Sequence, residues 1–295
     1  MKKLFLIIGL FINFSLHAQT PATLFGEGLF TKGGVFGLTL SSKGDHMLWV
    51  NSKGGRDTLL IMESFKVAGK WQTPKLASFS PQPGVWKYID PMFTPDNKTL
   101  LFQSNRPIGE TPERKKMHIW AVDKTPTGWG EPYNLTNLNT DSSESYASMA
   151  NNRNIYFTGN RKDYFGISDL YISKFENNKY QPPLNLGSDI NTSDMENNPS
   201  ISPDEDYIIF SSDRQKERYN GDLYISFKIA NAWSKPLQLG PEINTGISEF
   251  CPFVHKKQSK IYFSRLDRSG GGFNENIYSA YINIKKLRRQ ALLAK

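Results

Sequence analysis

Three glutamates, Glu144, Glu196 and Glu249, each stand three residues before the start of a short apolar segment, at Ala147, Pro199 and Pro252. Three arginines, Arg106, Arg161 and Arg214, each follow an Asn or Asp at the end of a second such segment, and Arg268 is a fourth of the kind. Carboxylates and guanidiniums recurring in step suit more than one chemistry. A guanidinium fork meets a carboxylate in a two-point ion pair that fastens neighbouring elements. Gathered at one rim, the same groups form a charged funnel that receives a ligand. Acid–base hydrolysis would need two of the carboxyls held roughly 5–9.5 Å apart in unequal surroundings. Because the acids recur at one repeat position, they read as architectural and ligand-binding candidates, and no residue is assigned to catalysis.

The elements that must position these residues are set by an internal repeat. The segments Leu38 to Trp49, Pro91 to Phe102, Ala147 to Phe157, Pro199 to Phe210 and Pro252 to Phe263 share a strand, a polar turn and a second strand closed by an aromatic. Those closing aromatics are 53, 55, 53 and 53 residues apart. A third strand follows in every copy, as in Asp222-Leu223-Tyr224-Ile225. Nine residues beyond Met62, Trp120, Tyr171 and Tyr224 stand Trp71, Trp129, Tyr180 and Trp233, with a Pro three further on. That marks an outer fourth strand, where one edge is unpaired and Pro is tolerated. The aromatics there are expected to pack between neighbouring repeats rather than to stack sugars. Four antiparallel strands per ~53 residues, without helices, predict an all-β, five-bladed β-propeller, with six blades as the alternative.

The repeat also predicts how the ring closes. Gly26-x-x-Leu29-x-Thr31 copies Gly187-x-x-Ile190-x-Thr192 and Gly240-x-x-Ile243-x-Thr245, so Pro21 to Thr31 reads as an outer strand lacking its own inner three. The last repeat, ending near Ile282, lacks an outer strand. Pairing the two completes a blade and removes the open sheet edges. In such a blade the connection to the next blade lies at the same end as the loop between strands two and three. The glutamates and arginines therefore share one face with the longest loops, 106–116, 161–168, 214–221 and 265–275. Loops on a rigid scaffold carry binding specificity.

Two runs, Ser202-Pro203-Asp204-Glu205-Asp206-Tyr207-Ile208-Ile209-Phe210-Ser211-Ser212-Asp213-Arg214 and Gly221-Asp222-Leu223-Tyr224-Ile225-Ser226, precede Trp233-x-x-Pro236-Leu237-x-Leu239-Gly240. Together they resemble the WD40-like Pro-Asp repeat of TolB-type periplasmic propellers. The likeness extends over nearly the whole chain after its leader, although the first repeat and Ala150-Asn151-Asn152 lack the Pro-Asp pair. The resemblance implies a protein-binding scaffold of the bacterial envelope, without the extra N-terminal domain of TolB itself.

The 295 residues are 38% apolar and 22% charged, enough to bury one sizeable core. The net charge is +8, and setting aside Lys2 and Lys3 leaves +6 spread along the chain, which disfavours nucleic-acid binding. Met1-Lys2-Lys3, the apolar run Leu4 to Leu16 and His17-Ala18-Gln19 form a secretory leader, with cleavage expected after Ala18. The run is shorter than the ~20 residues that span a bilayer. Residues 1–18 are thus the leader, 19–284 one propeller domain, and 285–295 a basic tail, solvated or partly helical. Cys251 is the only cysteine, which excludes an internal disulfide and suits a small buried residue. His46, His118 and His255 fall at unrelated repeat positions and no zinc motif is present. No cofactor is expected; calcium is considered only at Ser193–Glu196 and Ser202–Asp206, neither of which has EF-hand spacing. The expectation is a non-enzymatic, monomeric, exported propeller of the periplasm or outer cell surface. It binds an envelope protein, peptidoglycan or another glycan at the channel mouth; the alternative is a glycan-active hydrolase or lyase using the mouth carboxylates.

Overall fold

The computed structural model describes residues 19–30, 33–53, 55–80, 85–108, 116–140, 142–214 and 219–293, so the leader and Thr31 lie outside the described residues. Five antiparallel sheets follow one another along the chain and close into a five-bladed β-propeller. The innermost strands are Val35–Leu40, Tyr88–Phe93, Glu144–Met149, Glu196–Ile201 and Ser248–His255. Second strands run His46–Lys53, Thr99–Ser104, Ile155–Gly159, Tyr207–Ser212 and Lys260–Asp267, and the third Thr58–Val67, His118–Thr125, Asp169–Ser173, Asp222–Ile229 and Asn274–Tyr281. Fourth strands are short, as in Lys75–Leu76, Tyr133–Asn134, Leu184–Asn185 and Leu237–Gln238. The innermost strands begin three or four residues before the starts read from the repeat, so Glu144, Glu196 and Glu249 belong to the strands and not to the loops before them.

Alternation along each strand sends one set of side chains into the joint with the preceding blade and the other into the joint with the next. The closing aromatics Trp49, Phe102, Phe157, Phe210 and Phe263 are all buried in these joints. Outer-strand aromatics reach back to the preceding blade. Trp129 donates its indole N–H to Glu63 of the first blade at 3.1 Å, and Trp233 lies edge-on to Tyr156 of the third at 6.3 Å.

The seam is closed by the chain's N-terminal segment. Thr23–Leu24 pairs with Ser279 and Tyr278 as the fourth strand of the last blade. The Thr20 and Phe25 amides extend the pairing by donating to the Tyr281 and Ile277 carbonyls at 3.2 and 2.9 Å. Leu29 and Phe30 then donate to the Gly26 carbonyl, the turn that recurs at Gly187 and Gly240. Phe25 meets Tyr262 of the last blade at 5.0 Å and Phe30 meets Trp49 of the first at 4.8 Å, so this segment fills the joint between them. The tail is a helix, Ile284–Leu293, which buries Leu287 and Ala291 against the fourth blade and places Arg288 on Asp206 at 3.1 Å and over Phe227. Among the described residues, no helix is long and apolar enough to cross a membrane.

Deleting residues 19–30 removes three apolar anchors, Phe25, Leu29 and Phe30, worth about 1.5–3 kcal/mol each when buried. The expected result is a melting temperature lower by roughly 10 °C or more in a circular-dichroism scan. An unchanged melting curve would show that the ring is held shut without them.

Candidate functional site

The three glutamates are wholly buried, each at the base of its innermost strand. Glu196 accepts from the Thr192 amide and hydroxyl at 2.7 and 2.8 Å, from Ser212 Oγ at 2.6 Å and from Arg214 at 3.2 Å. Glu249 accepts from the Thr245 amide and hydroxyl at 3.1 and 2.6 Å and from Arg265 Nε at 3.1 Å. Glu144 accepts from Thr140 in the same way, with Arg161 and His118 each 3.5 Å away. Every one of these arginines also donates to a carbonyl of the incoming turn, that of Leu138, Ile190 or Ile243, and covers two aromatics of its own blade. The repeated unit therefore ties a crossover to the blade it enters. Burial pushes the Glu249 carboxyl above its ordinary range, against the opposing pull of Thr245 and Arg265.

The structure thus brings Arg161 to Glu144 and Arg214 to Glu196, but not Arg106 to any of the three acids. In the second blade Tyr88 opens the innermost strand where the third, fourth and fifth blades have Glu, as Val35 does in the first, and Arg106 lies over Trp120 at 4.8 Å. In the last blade the ion pair is made by Arg265 and not Arg268. The second strand there extends to Asp267, and its register sets Arg265 directly across from Glu249. Arg268, one residue beyond the strand, donates to the Tyr219 carbonyl at 2.8 Å.

A second repeated feature has almost no sequence signature. Each innermost strand is interrupted by a bulge whose central residue has positive φ: Gly37 at 61°, Asp90 at 55°, Tyr146 at 44°, Asn198 at 55° and Cys251 at 50°. Gly accepts this conformation freely and Asn or Asp with modest strain, whereas Tyr and Cys are held there at a cost of order 1–3 kcal/mol. Their side chains meet across the axis. Tyr146 of the third blade donates its hydroxyl to the Pro252 carbonyl of the fifth at 2.8 Å, and Cys251 Sγ of the fifth donates to Asp90 of the second at 3.6 Å. Neither pair of blades is adjacent, so the contacts plug the channel at mid-height. Beside the plug, Arg56 bonds the buried Glu275. Burial raises the Asp90 carboxyl to about 7, against the pull of Arg56 and of the Cys251 hydrogen bond. Burial also holds the Cys251 thiol well above its usual range, in keeping with an inert residue.

The plug leaves a cavity at each end of the axis, and the two share no lining residue. On the face of the long loops lies a polar chamber of about 280 Å³, lined among others by Asp90, Gln103, Asn197, Asp213 and Arg268. Three loops between strands two and three, at the same end of the blades, expose aromatics: Tyr219 (51% exposed), which lines the chamber, Tyr164 (55%), Phe165 (51%) and Phe273 (42%). These loops are braced. Asp169 accepts from the Phe165 and Gly166 amides at 2.7 and 3.2 Å, and Tyr219 donates its amide to Asp213 at 2.6 Å. At Gly166 a Cβ would stand 2.1 Å from the Asp194 carbonyl, so only glycine lets this loop lie against the next crossover. The opposite end of the axis holds a larger, apolar cavity of about 420 Å³. Among the described residues, no group of three or more His, Cys, Asp or Glu is arranged to hold a metal ion.

No protein-family profile and no curated protein matches the chain. Solved structures share its fold at low identity. An α-L-arabinofuranosidase from Lactobacillus brevis is 10% identical with a TM-score of 0.52, over 84% of this chain and 92% of that one. Kuenenia stuttgartiensis hydrazine synthase is 10% identical with a TM-score of 0.53, over 83% of this chain. The chain spans 40% of the length of that synthase and 34% of a Mycobacterium tuberculosis puromycin-hydrolyzing peptidase. At these identities the likeness is one of fold.

Removing one partner of a buried ion pair leaves the other uncompensated. Glu196→Ala and Arg265→Ala are therefore expected to lower stability by about 3 kcal/mol in urea denaturation. Arg268→Ala should change it by less than about 0.5 kcal/mol. Equal losses at Arg265 and Arg268 would refute the register described above. Asp90, with its folded pKa raised, binds a proton in the folded chain that the unfolded chain releases from about pH 4. Stability should accordingly fall as pH rises from about 4 to 7, by at most about 4 kcal/mol from this group. Asp90→Asn should remove that part of the slope, read as melting temperature against pH.

Proposed function

We propose that the protein is an exported, non-catalytic propeller of the bacterial envelope, binding a protein or cell-wall partner on the face of the long loops. The observation that carries this reading is the set of exposed aromatics, Tyr164, Phe165, Tyr219 and Phe273, on the loops at the end of the blades where the polar chamber lies. Binding energy at protein interfaces concentrates in aromatic and Arg side chains at the centre of a patch. Because Asp169 and Asp213 already brace two of these loops, little conformational freedom is left to lose on binding. The glutamates and arginines of the repeat support the same face indirectly, by fixing the crossovers beneath it. Export is supported by the leader at 1–18, and an envelope role by the Pro-Asp repeats that resemble those of TolB-type propellers.

The competing reading, hydrolysis of glycans, has one feature in its favour, the Asp90 carboxyl raised to about 7 beside a polar chamber. A hydrolase needs a second, ionised carboxylate working with it. The chamber's other acid, Asp213, accepts the Tyr219 amide and so acts on the loop.

In-cell cross-linking followed by mass spectrometry is expected to capture a defined partner with the wild type. Phe165→Asp combined with Tyr219→Asp should lose it at an unchanged melting temperature. Capture undiminished in that variant would sink the proposal. New reducing ends released from dissolved cell-wall glycans, and absent with Asp90→Asn, would put the hydrolase reading in its place.

A further inference from the structure

The cavity of about 420 Å³ opens on the face away from the long loops, at the far end of the innermost strands. All five blades contribute to its wall, which includes Leu40, Phe93, Met149, Ile201, Phe253 and Val254. Beneath them the channel is shut by Tyr146, Asp90 and Cys251, so the cavity is a cup with a floor rather than a passage. Its size falls in the range of small-molecule sites, roughly 300–1,000 Å³, and such sites are mostly apolar with a few polar groups that orient the ligand. Met92 and Met149 give the wall two side chains that adapt to the shape of a guest.

Two further features define the guest. No Asp or Glu lines the cup, whereas Lys256 and Lys257 stand at its rim beside Asn97. Asp204, outside the rim, holds Lys256 at 2.7 Å. Lys257 has no ion pair among the described residues, which makes it the cation available to a ligand. The rim is otherwise built of Ser42, Pro95 and Pro203, and none of the exposed large apolar side chains among the described residues lies on it. A protein-docking patch would present such anchors around its opening, as the opposite face does.

We propose that the cup binds a small anionic amphiphile, an apolar chain carrying a single carboxylate, with the chain on the axis and the carboxylate at Lys257. The site is separate from the loop face and stands whether or not a partner docks there.

Titration calorimetry with octanoate and with octanol tests it. Octanoate is expected to bind with one-to-one stoichiometry and more tightly than octanol. Lys257→Glu should weaken octanoate by about fivefold and leave octanol unchanged. Met149→Trp, which fills the cup, should abolish binding of both; Val254→Phe serves the same end should the first variant fail to fold. Absence of binding by either probe overturns the proposal, as does binding undiminished in a folded cup-filling variant. Equal affinity of the two probes, insensitive to Lys257→Glu, overturns the assignment of an anionic head. Loss of a cross-linked protein partner in Met149→Trp, with no octanoate bound by the wild type, would give the cup to a protein segment and overturn it as well.

Discussion

Five sheets close into a ring only when every joint between neighbours is held at a matching angle, and at three joints here a buried carboxylate does the holding. Taking Glu144, Glu196 or Glu249 out of water costs several kcal/mol, which only a nearly complete set of donors can offset. The threonine four residues before each glutamate, at 140, 192 or 245, supplies two such donors from the crossover itself, and the arginine supplies a third while bonding the crossover's carbonyl. The carboxylate thus joins a loop from one blade to two strands of the next. At the seam Val35 stands where those blades have Glu; there Arg56 of the first blade bonds the buried Glu275 of the last, and Phe25 and Phe30 pack the joint.

Closure at five blades brings the innermost strands close to the axis, and the bulges follow from that crowding. A strand that kept its alternation would direct a side chain of full length at the axis every second residue. The positive-φ residue shifts the register once per blade, so that a few chosen side chains fill the centre and the rest turn into the joints. The channel's division into a polar and an apolar end is set by this one row of residues.

The period, the number of blades and the strand that completes the last blade were all legible in the sequence, because each rests on a pattern repeated several times over. Gly26-x-x-Leu29 was recognisable as a displaced outer strand since Gly187 and Gly240 open the same turn. The bulges were not legible. Pro91, Pro199 and Pro252 follow them directly and read as strand beginnings, when each in fact marks the residue after a kink inside a strand. The exchange of Arg265 for Arg268 was hidden by the longer second strand of the last blade, which moved the Asp-Arg signal past the joint. Leu40, Met149 and Ile201 gave no sign of lining a cavity, since apolar strand ends look alike whether they face a core or an opening. Tyr88 in place of a glutamate was visible, but only the structure shows that Arg106 turns to Trp120 instead.

The seam also dictates an order of events. Thr23 pairs with Ser279, which lies 256 residues further along the chain, so a growing polypeptide can make this contact only after the inner strands of all five blades have been synthesised. Until then the array is an open arc with a bare strand at one end, the kind of edge on which other chains add. Non-local pairing of this sort slows folding and prolongs exposure of partly formed states. The longer such an arc persists before it closes, the longer its bare edge is open to other chains.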